Sequence, residues 1–262
     1  MELVVAGIGS WCERFPTWGA LQHHFCGAEP APVRDAVPGP VGGCIPLRDR
    51  RRAPLQVRIA AEAASQAVSA SGLDPTKLPS VFASGMGDGQ TTDNICRGLA
   101  APEKIVSPTH FHNSVHNAAA GYWSIAASCP AQSNTVSGFR RSAGVALLEA
   151  AALCQTERSP VLLVIGDVEV RPPLDAICPI TGSFAAAMVL CPGAGPGDAR
   201  LRFELAAISP RDGDEFRHAL ALGIDGNPAA GILELLALIA RRAPGRIGLD
   251  LGSGTRLVVS VL

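Results

Sequence analysis

The stretch from Ser107 to Ala150 constrains the fold of this chain more than any other part of it. Its second half reads SNTVSGFRRSAGVALLEA, in which a short run at 132–136 is followed by Ser137 and then by small residues at helical spacing. The pattern predicts a strand, a sharp turn at Ser137 and a helix over Arg140–Cys154. A strand that leads directly into a closely packing helix is typical of an α/β layered domain.

Strand and helix patterns alternate along the rest of the chain. Further strands are predicted at residues 3–8, 80–84, 160–165, 182–190 and 201–208, with a last strand pair ending at Leu262. Further helices are predicted at residues 55–70, 92–99, 118–127 and 228–242, and a long surface loop at 29–47. The later strands lack helices between them, which implies an α/β layered fold with a mixed sheet. We predict a single domain over residues 1–262.

The composition argues against several classes of function. A net charge of -1, with 17% charged residues, provides no field that would hold nucleic acid. The opening residues MELVVAGIGSW lack both the basic segment of a signal peptide and the long apolar run of a membrane span. The eight cysteines include no C-x-x-C pair, which favours buried, reduced thiols. We therefore expect a cytoplasmic protein with no nucleic-acid partner and no membrane span.

Several motifs occur in the order in which one enzyme family has them. Gly72–Pro75 reads G-L-D-P, Ser84–Gly87 is a glycine-rich turn, and Asn117–Ile125 reads N-x-x-A-G-x-x-S-I. Residues 1–190 thereby resemble the amino-terminal half of the β-ketoacyl synthases. The resemblance implies a thiolase-like layered fold with a truncated second lobe, in which residues 191–262 are a shortened carboxy-terminal extension.

The same resemblance implies that the catalytic residues of the family are missing. Thr135-Val136-Ser137 stands where the family has T-x-C, so Ser137 takes the position of the nucleophilic cysteine. A serine hydroxyl stays protonated unless a base is positioned beside it, and no base is suggested nearby. His218 is the only histidine after Leu190, and no H-G-T motif surrounds it. We therefore expect no catalytic residue, with Ser137 acting as the amino-terminal cap of a helix.

The run FHNSVHNAAAGYWSI resembles the short chain-length-factor-like subunits of aryl polyene and xanthomonadin-type pigment pathways. In type II polyketide systems such a subunit pairs with an active ketosynthase and shapes the cavity in which the acyl chain grows. The chain is carried on the phosphopantetheine of an acyl carrier protein, so no resident cofactor is implied. The resemblance places these residues at the interface and acyl cavity: Phe111, His112, His116, Asn117, Gly121, Tyr122 and Trp123.

Two arginines at the start of the predicted helix have no obvious structural purpose. Arg140 and Arg141 lie at the end of the helix whose dipole repels positive charge. Contact with the acyl carrier protein or its phosphopantetheine would explain them. Simple exposure to solvent is the alternative.

Other interpretations of the same residues stay open. A serine-dependent acyl or thioester hydrolase or acyltransferase would use Ser137 with a histidine from residues 110–116, although no G-x-S-x-G motif is present. A homodimeric scaffold that binds acyl carrier protein would need no catalytic residue.

The histidine and glycine motifs also allow a second interpretation each. His110, His112 and His116 form H-x-H-x-x-x-H, and on a strand the first two would share a face, as metal ligands often do. No carboxylate or cysteine nearby completes a ligand set, which favours interface histidines and no metal. Gly7–Gly9 and Gly85–Gly89 do not match a nucleotide-binding loop, so we interpret both as tight turns.

Overall fold

The described residues form one mixed β-sheet with helices on both faces. The computed structural model describes residues 1–27, 39–40, 42–193, 197, 199–208 and 217–262. The strands are β1 (Glu2–Cys12), β2 (Ser80–Ala83), β3 (Ser133–Val136), β4 (Val161–Asp167), β5 (Phe184–Pro192), β6 (Ala199–Ala207), β7 (Gly245–Gly252) and β8 (Thr255–Val261). They lie across the sheet in the order β3-β2-β4-β5-β1-β6-β8-β7. β2 pairs in parallel with β3 and β4, whereas the other pairs are antiparallel, so the predicted mixed sheet is confirmed.

The helices follow the predicted order with some additions. They are α1 (Trp18–Phe25), α2 (Leu47–Arg50), α3 (Leu55–Ser71), α4 (Gly89–Ala100), α5 (Pro108–Asn113), α6 (Ala118–Ala126), α7 (Ser142–Glu157), α8 (Arg217–Leu222) and α9 (Leu233–Ala240). The helix predicted at 228–242 is divided into the 3-10 segment Pro228–Ile232 and α9. Helices α1, α2, α5 and α8 were not predicted. Of the predicted loop at 29–47, residues 29–38 and 41 lie outside the described residues, and Leu47 begins α2.

Side chains of β4 alternate between two apolar cores, which explains why helices cover both faces of the sheet. Val161, Leu163 and Ile165 join one apolar core, together with residues of α1, α7 and α9. Leu162 and Val164 point the other way and join a second core with residues of α3 and α6. Because successive side chains of a strand point to opposite faces, a strand that is apolar at every position requires a layer on each side.

Two glycines that we interpreted as a tight turn lie inside a strand instead. Gly7 and Gly9 belong to β1, which α3 crosses at close range. A Cβ atom at either position would collide with the backbone oxygen of Ala67 or Ala63 in α3. The turn interpretation of Gly7–Gly9 is therefore wrong, and these glycines allow the helix to approach the sheet. Gly85 and its neighbours do form a turn, as predicted, between β2 and α4.

The carboxy-terminal strands extend the same sheet. β6 pairs with β1, β8 with β6, and β7 with β8, so the described residues from 199 onwards continue the sheet beyond β1. Between them, α9 adds to the layer that contains α1 and α7. In the parts of the chain that the structure describes, no helix has the length and apolar character needed to cross a membrane.

The end of α3 allows a test of the backbone geometry. Gly72 follows α3 with a φ of 67°, and a Cβ atom added there would meet open space. We expect Gly72→Ala to lower the free energy of unfolding by about 1 kcal/mol, because only glycine adopts this φ without strain. Gly19→Ala is the control, since Gly19 lies in α1, has equally open space and has no positive φ. It should raise stability by about 0.5 kcal/mol. Urea unfolding of both variants measures the difference, and effects of the same sign would contradict the geometry.

Candidate functional site

The candidate site lies where β3, β2 and β4 end. β3 forms one edge of the sheet and pairs only with β2 among the described strands. The chain leaves β3 at Val136 and reaches α7 through a 3-10 segment at Phe139–Arg141. This is the strand, turn and helix that the sequence predicted, and the side chains at its turn are exposed or half-buried.

The sharp turn is centred on Phe139. Phe139 has a φ of 53°, in the left-handed region that L-residues other than asparagine and aspartate seldom adopt. Ser142 closes the turn, because its Oγ accepts a hydrogen bond from the Gly138 N–H at 3.0 Å and donates one to the Phe139 carbonyl at 2.7 Å. Ser142 is completely buried. The strained backbone is therefore held in place by its surroundings.

Two predictions for Ser137 differ from this geometry. We call the sharp turn between β3 and α7 the elbow. It was predicted at Ser137, but Ser137 is exposed, has no positive φ, and precedes the strained residue Phe139 by two positions. Ser137 was also predicted as a helix cap, and this is wrong, because Arg141 precedes α7 and provides no side-chain cap. Sequence alone placed the turn too early because the serine resembled a nucleophile.

A buried carboxylate fixes the turn that follows β2. Asp167, the last residue of β4, has no exposed surface. Its Oδ1 accepts hydrogen bonds from Ser84 Oγ at 2.7 Å, from the Gly85 N–H at 2.9 Å and from the Met86 N–H at 3.0 Å. Burial raises the pKa of the Asp167 carboxyl to about 6, although these hydrogen bonds pull it down. The sequence analysis missed this residue, and its only signal was a carboxylate at the end of an apolar strand.

The turn held by Asp167 lies directly against the elbow. A Cβ atom at Gly85 would lie 2.6 Å from Pro228 Cγ and 3.0 Å from the Phe139 carbonyl oxygen. The segment around Pro228 is itself anchored by Asn227, whose Nδ2 donates to the carbonyls of Asp167 at 3.0 Å and Gly182 at 3.1 Å. Only glycine fits at position 85, between the elbow and the carboxy-terminal segment.

The predicted histidines lie on a helix and its following loop. His110 and His112 belong to α5, where residues two apart point to different sides, so the strand geometry that suited a metal is wrong. His116 Nε2 lies 2.9 Å from the Ser84 carbonyl oxygen, which links this loop to the Asp167 network. Among the described residues, no histidine forms a hydrogen bond with Ser137 and no group of three metal-ligating side chains occurs.

Most of the predicted cavity residues surround one groove. The groove has a volume of about 570 Å³ and lies between α2, α5 and α6. His112, Asn117, Gly121 and Tyr122, four of the residues predicted to lie at the interface and acyl cavity, line it. Trp123 belongs to α6, but its side chain packs in the core, with 3% of the residue's surface exposed. It lines a separate cavity beside α3.

Polar contacts set the shape of the groove wall. Tyr122 Oη donates to Asn113 Oδ1 at 3.2 Å, and Asn113 Nδ2 donates to the Arg52 carbonyl at 2.8 Å. The ring of His112 packs edge-on against Tyr122, with ring centres 5.9 Å apart. Burial raises the pKa of the Tyr122 hydroxyl, so it is a neutral donor at physiological pH.

Large apolar side chains are exposed around the groove. Val115 and Ile125 line it, Phe111 lies on α5 beside it, and Leu47 begins α2 at its edge. Between 48% and 68% of the surface of each is exposed. We call these four residues the groove rim. Exposed apolar side chains gathered around one groove are a feature of interaction sites.

The two arginines predicted to contact a carrier protein differ in their surroundings. Arg141 forms an ion pair with Asp250 of β7, with Nε and Oδ2 2.7 Å apart. This contact is half-exposed, and it holds the pKa of the Asp250 carboxyl below its usual value. Arg140 is exposed, and its guanidinium lies 5.8 Å from the centre of the Phe139 ring. Arg140 is therefore the more accessible of the two for a partner.

Comparison with known families gives one match that covers most of the chain. A family model described as "Beta-ketoacyl synthase, N-terminal domain" matches residues 28–217. This range contains the strand order 3-2-4-5 of the sheet, the elbow, the groove and the Asp167 network. No curated protein sequence matches the chain.

Solved structures resemble the chain over nearly its whole length. The ketosynthase ApeO in complex with its chain length factor ApeC from Xenorhabdus doucetiae matches with a TM-score of 0.72 and 21% identity, over 99% of each chain. The AntDE:AntF structure, a type II polyketide synthase acyl-carrier protein in complex with its ketosynthase, matches with a TM-score of 0.76 and 14% identity, over 99% of this chain and 98% of that one. The ishigamide ketosynthase/chain length factor matches with 0.71 and 14%, over 100% and 99%. These likenesses confirm the predicted α/β thiolase-like fold with a mixed sheet.

Proposed function

The chain belongs to the β-ketoacyl synthase N-terminal domain family, and from this membership we propose that it is a non-catalytic, chain-length-factor-like subunit. Its partner is an active ketosynthase that extends an acyl chain on acyl carrier protein. The observation that carries the proposal is the groove rim, because Leu47, Phe111, Val115 and Ile125 expose apolar surface that a partner would cover. Structures of ketosynthase and chain length factor complexes with a similar fold support this choice of partner.

The open edge of the sheet supports the same kind of contact. β3 leaves one side of its backbone unpaired among the described residues, and it lies next to the elbow. An edge strand with free N–H and C=O groups is a natural place for a second sheet to continue. Hydrogen bonds at β3, combined with apolar burial at the groove rim, would give an interface of the obligate type.

The elbow supports a subunit without catalysis of its own. Neither Ser137 nor Phe139 has a general base beside it among the described residues, and His116 interacts with Ser84 instead. His218 packs against Phe25 and lies 3.6 Å from Glu234, among α1, α8 and α9. A hydroxyl without a base is a poor nucleophile, so we assign the acyl-transfer step to the ketosynthase partner.

The groove gives the subunit a second task, which is to shape the acyl cavity. Its volume is in the range of small-molecule sites, and its walls combine apolar side chains with the neutral Tyr122 hydroxyl. The acyl chain arrives on the phosphopantetheine of acyl carrier protein, which Arg140 contacts, and no resident cofactor is needed. We place the protein in the cytoplasm and, within type II systems, in an aryl polyene pigment pathway.

Co-expression with a full-length ketosynthase from the same genome tests the proposed function. We expect a stable complex with one copy of each subunit on gel filtration with light scattering, and an extended product only when both are present. A homodimer without affinity for the ketosynthase would instead favour the scaffold interpretation. Labelling of Ser137 by a fluorophosphonate probe would favour the hydrolase and contradict the proposal.

A further inference from the structure

We propose that Phe139 occupies the position at which this fold presents a nucleophile, and that its benzyl side chain stands in place of the reacting atom. The inference deepens the proposed function, because it names the residue that accounts for the missing chemistry. It rests on the proposed function for the premise that this fold has a nucleophile position, whereas the residue is assigned from the geometry of this chain and can be tested without a partner.

The backbone singles out Phe139 within the segment between β3 and α7. Its φ of 53° places it in the left-handed region, and Ser137 does not share that conformation. An L-residue persists there only when its surroundings require it, and such positions concentrate at functional sites. The requirement here comes from Ser142, which bonds both sides of the turn, and from Gly85, which packs beneath the Phe139 carbonyl.

The position of Phe139 relative to the helix agrees with this assignment. Phe139 begins the 3-10 segment that leads without a break into α7, a helix of 16 residues. Free N–H groups and the helix dipole at the amino terminus of a helix stabilise a thiolate. Ser137 lies two residues earlier, outside the helical segment and exposed. A nucleophile at position 137 would gain little from α7.

The side chain present explains why no reaction follows. Transfer of an acyl group to an enzyme requires an atom with a lone pair that attacks the thioester carbonyl and expels the carrier thiol. A phenyl ring has no such atom and no exchangeable proton. Phe139 is 42% exposed, and its ring lies beside the Arg140 guanidinium. The elbow has thus kept its shape while its reactive group is absent.

Cysteine placed at each of the two positions tests the assignment in the isolated protein. In Phe139→Cys and Ser137→Cys, the thiol first gives up its proton to the buffer, and the resulting thiolate attacks the methylene carbon of iodoacetamide, forms a thioether and expels iodide. Peptide mass spectrometry follows each cysteine separately, which is needed because Cys26 and Cys96 are exposed. At pH 7 we expect Cys at 139 to react about fivefold to tenfold faster than Cys at 137, with a lower thiol pKa. Equal rates, or a faster reaction at 137, would overturn the proposal.

A second comparison tests the backbone strain independently of cysteine reactivity. Glycine at a left-handed position is more stable than alanine, whereas elsewhere it is less stable. We therefore expect Phe139→Gly to have a higher urea midpoint than Phe139→Ala, and Ser137→Gly to have a lower midpoint than Ser137→Ala. The same order at both positions would contradict an elbow at Phe139. Failure of the ketosynthase to bind would remove the proposed function but leave both results unaffected.

Discussion

We expect Asp167→Ala to lower the free energy of unfolding by about 3 kcal/mol at pH 5, one of the two largest effects predicted for this chain. The substitution removes the acceptor of three hydrogen bonds, from Ser84, Gly85 and Met86, in a site without exposed surface. Each buried donor left without a partner costs about 1–3 kcal/mol. The turn beneath the elbow then loses its anchor. Chemical unfolding followed by circular dichroism measures the change.

Two variants separate the possible causes of this loss. Asp167→Asn keeps an oxygen at the position that accepts all three hydrogen bonds, so it should lose about 1 kcal/mol or less. Asp74→Ala also removes a carboxylate that accepts from a backbone N–H, but Asp74 is exposed and should cost about 1 kcal/mol. If Asp167→Ala is no more harmful than Asp74→Ala, the buried network contributes nothing to stability.

The same carboxyl gives stability a defined dependence on pH. Its pKa is about 6 in the folded protein, above its ordinary value of 3.8, so between these values the folded state binds more protons than the unfolded state. The free energy of unfolding must then fall as pH rises, and the contribution of Asp167, fully present below about pH 4, is lost as pH passes 6. The expected loss is about 2–3 kcal/mol relative to Asp167→Asn, which does not titrate. A difference that stays constant from pH 4 to 7 would contradict the raised pKa.

Local signals were sufficient for much of the fold. The end of α3 was predicted from Gly72 followed by Pro75, and the structure places Gly72 in the left-handed conformation that this signal requires. β4 was predicted from an unbroken apolar run, and both faces of β4 are buried. These elements depend on residues within one turn or one strand of each other, so their sequence contains the necessary information.

The candidate site was predicted less well because its geometry depends on residues far apart in sequence. Four of the residues that line the groove were singled out through a family motif, whereas the Asp167 network joins positions 84, 116 and 167, and no periodicity connects them. The elbow was predicted at the wrong residue because a local sequence signal was misleading. Ser137 offered a plausible local signal, but the strained conformation at Phe139 is imposed by Ser142 and Gly85. α5 was missed because six residues are too few for a helical period to be recognised.

The second large effect concerns binding. We expect Ile125→Glu to weaken the complex with the ketosynthase at least 100-fold, because it places a carboxylate within the apolar groove rim that we propose the partner covers. Ile125 lines the groove, and 65% of its surface is exposed in the free subunit. The substitution should therefore leave folding unchanged, within about 0.5 kcal/mol. In the complex the charge would lose its water without gaining a partner, and loss at a central apolar residue often exceeds 2 kcal/mol.

Leu205→Glu provides the matched control. Leu205 is 61% exposed but belongs to β6, which is separated from β3 by four strands of the sheet. It introduces the same charge at the same degree of exposure and should bind the ketosynthase as the unsubstituted protein does. Calorimetric titration of the purified ketosynthase with each variant gives the two affinities. Equal affinities would place the interface away from the groove rim. If only Ile125→Glu fails to bind and both variants unfold normally, the apolar surface around the groove is the contact that holds the two subunits together.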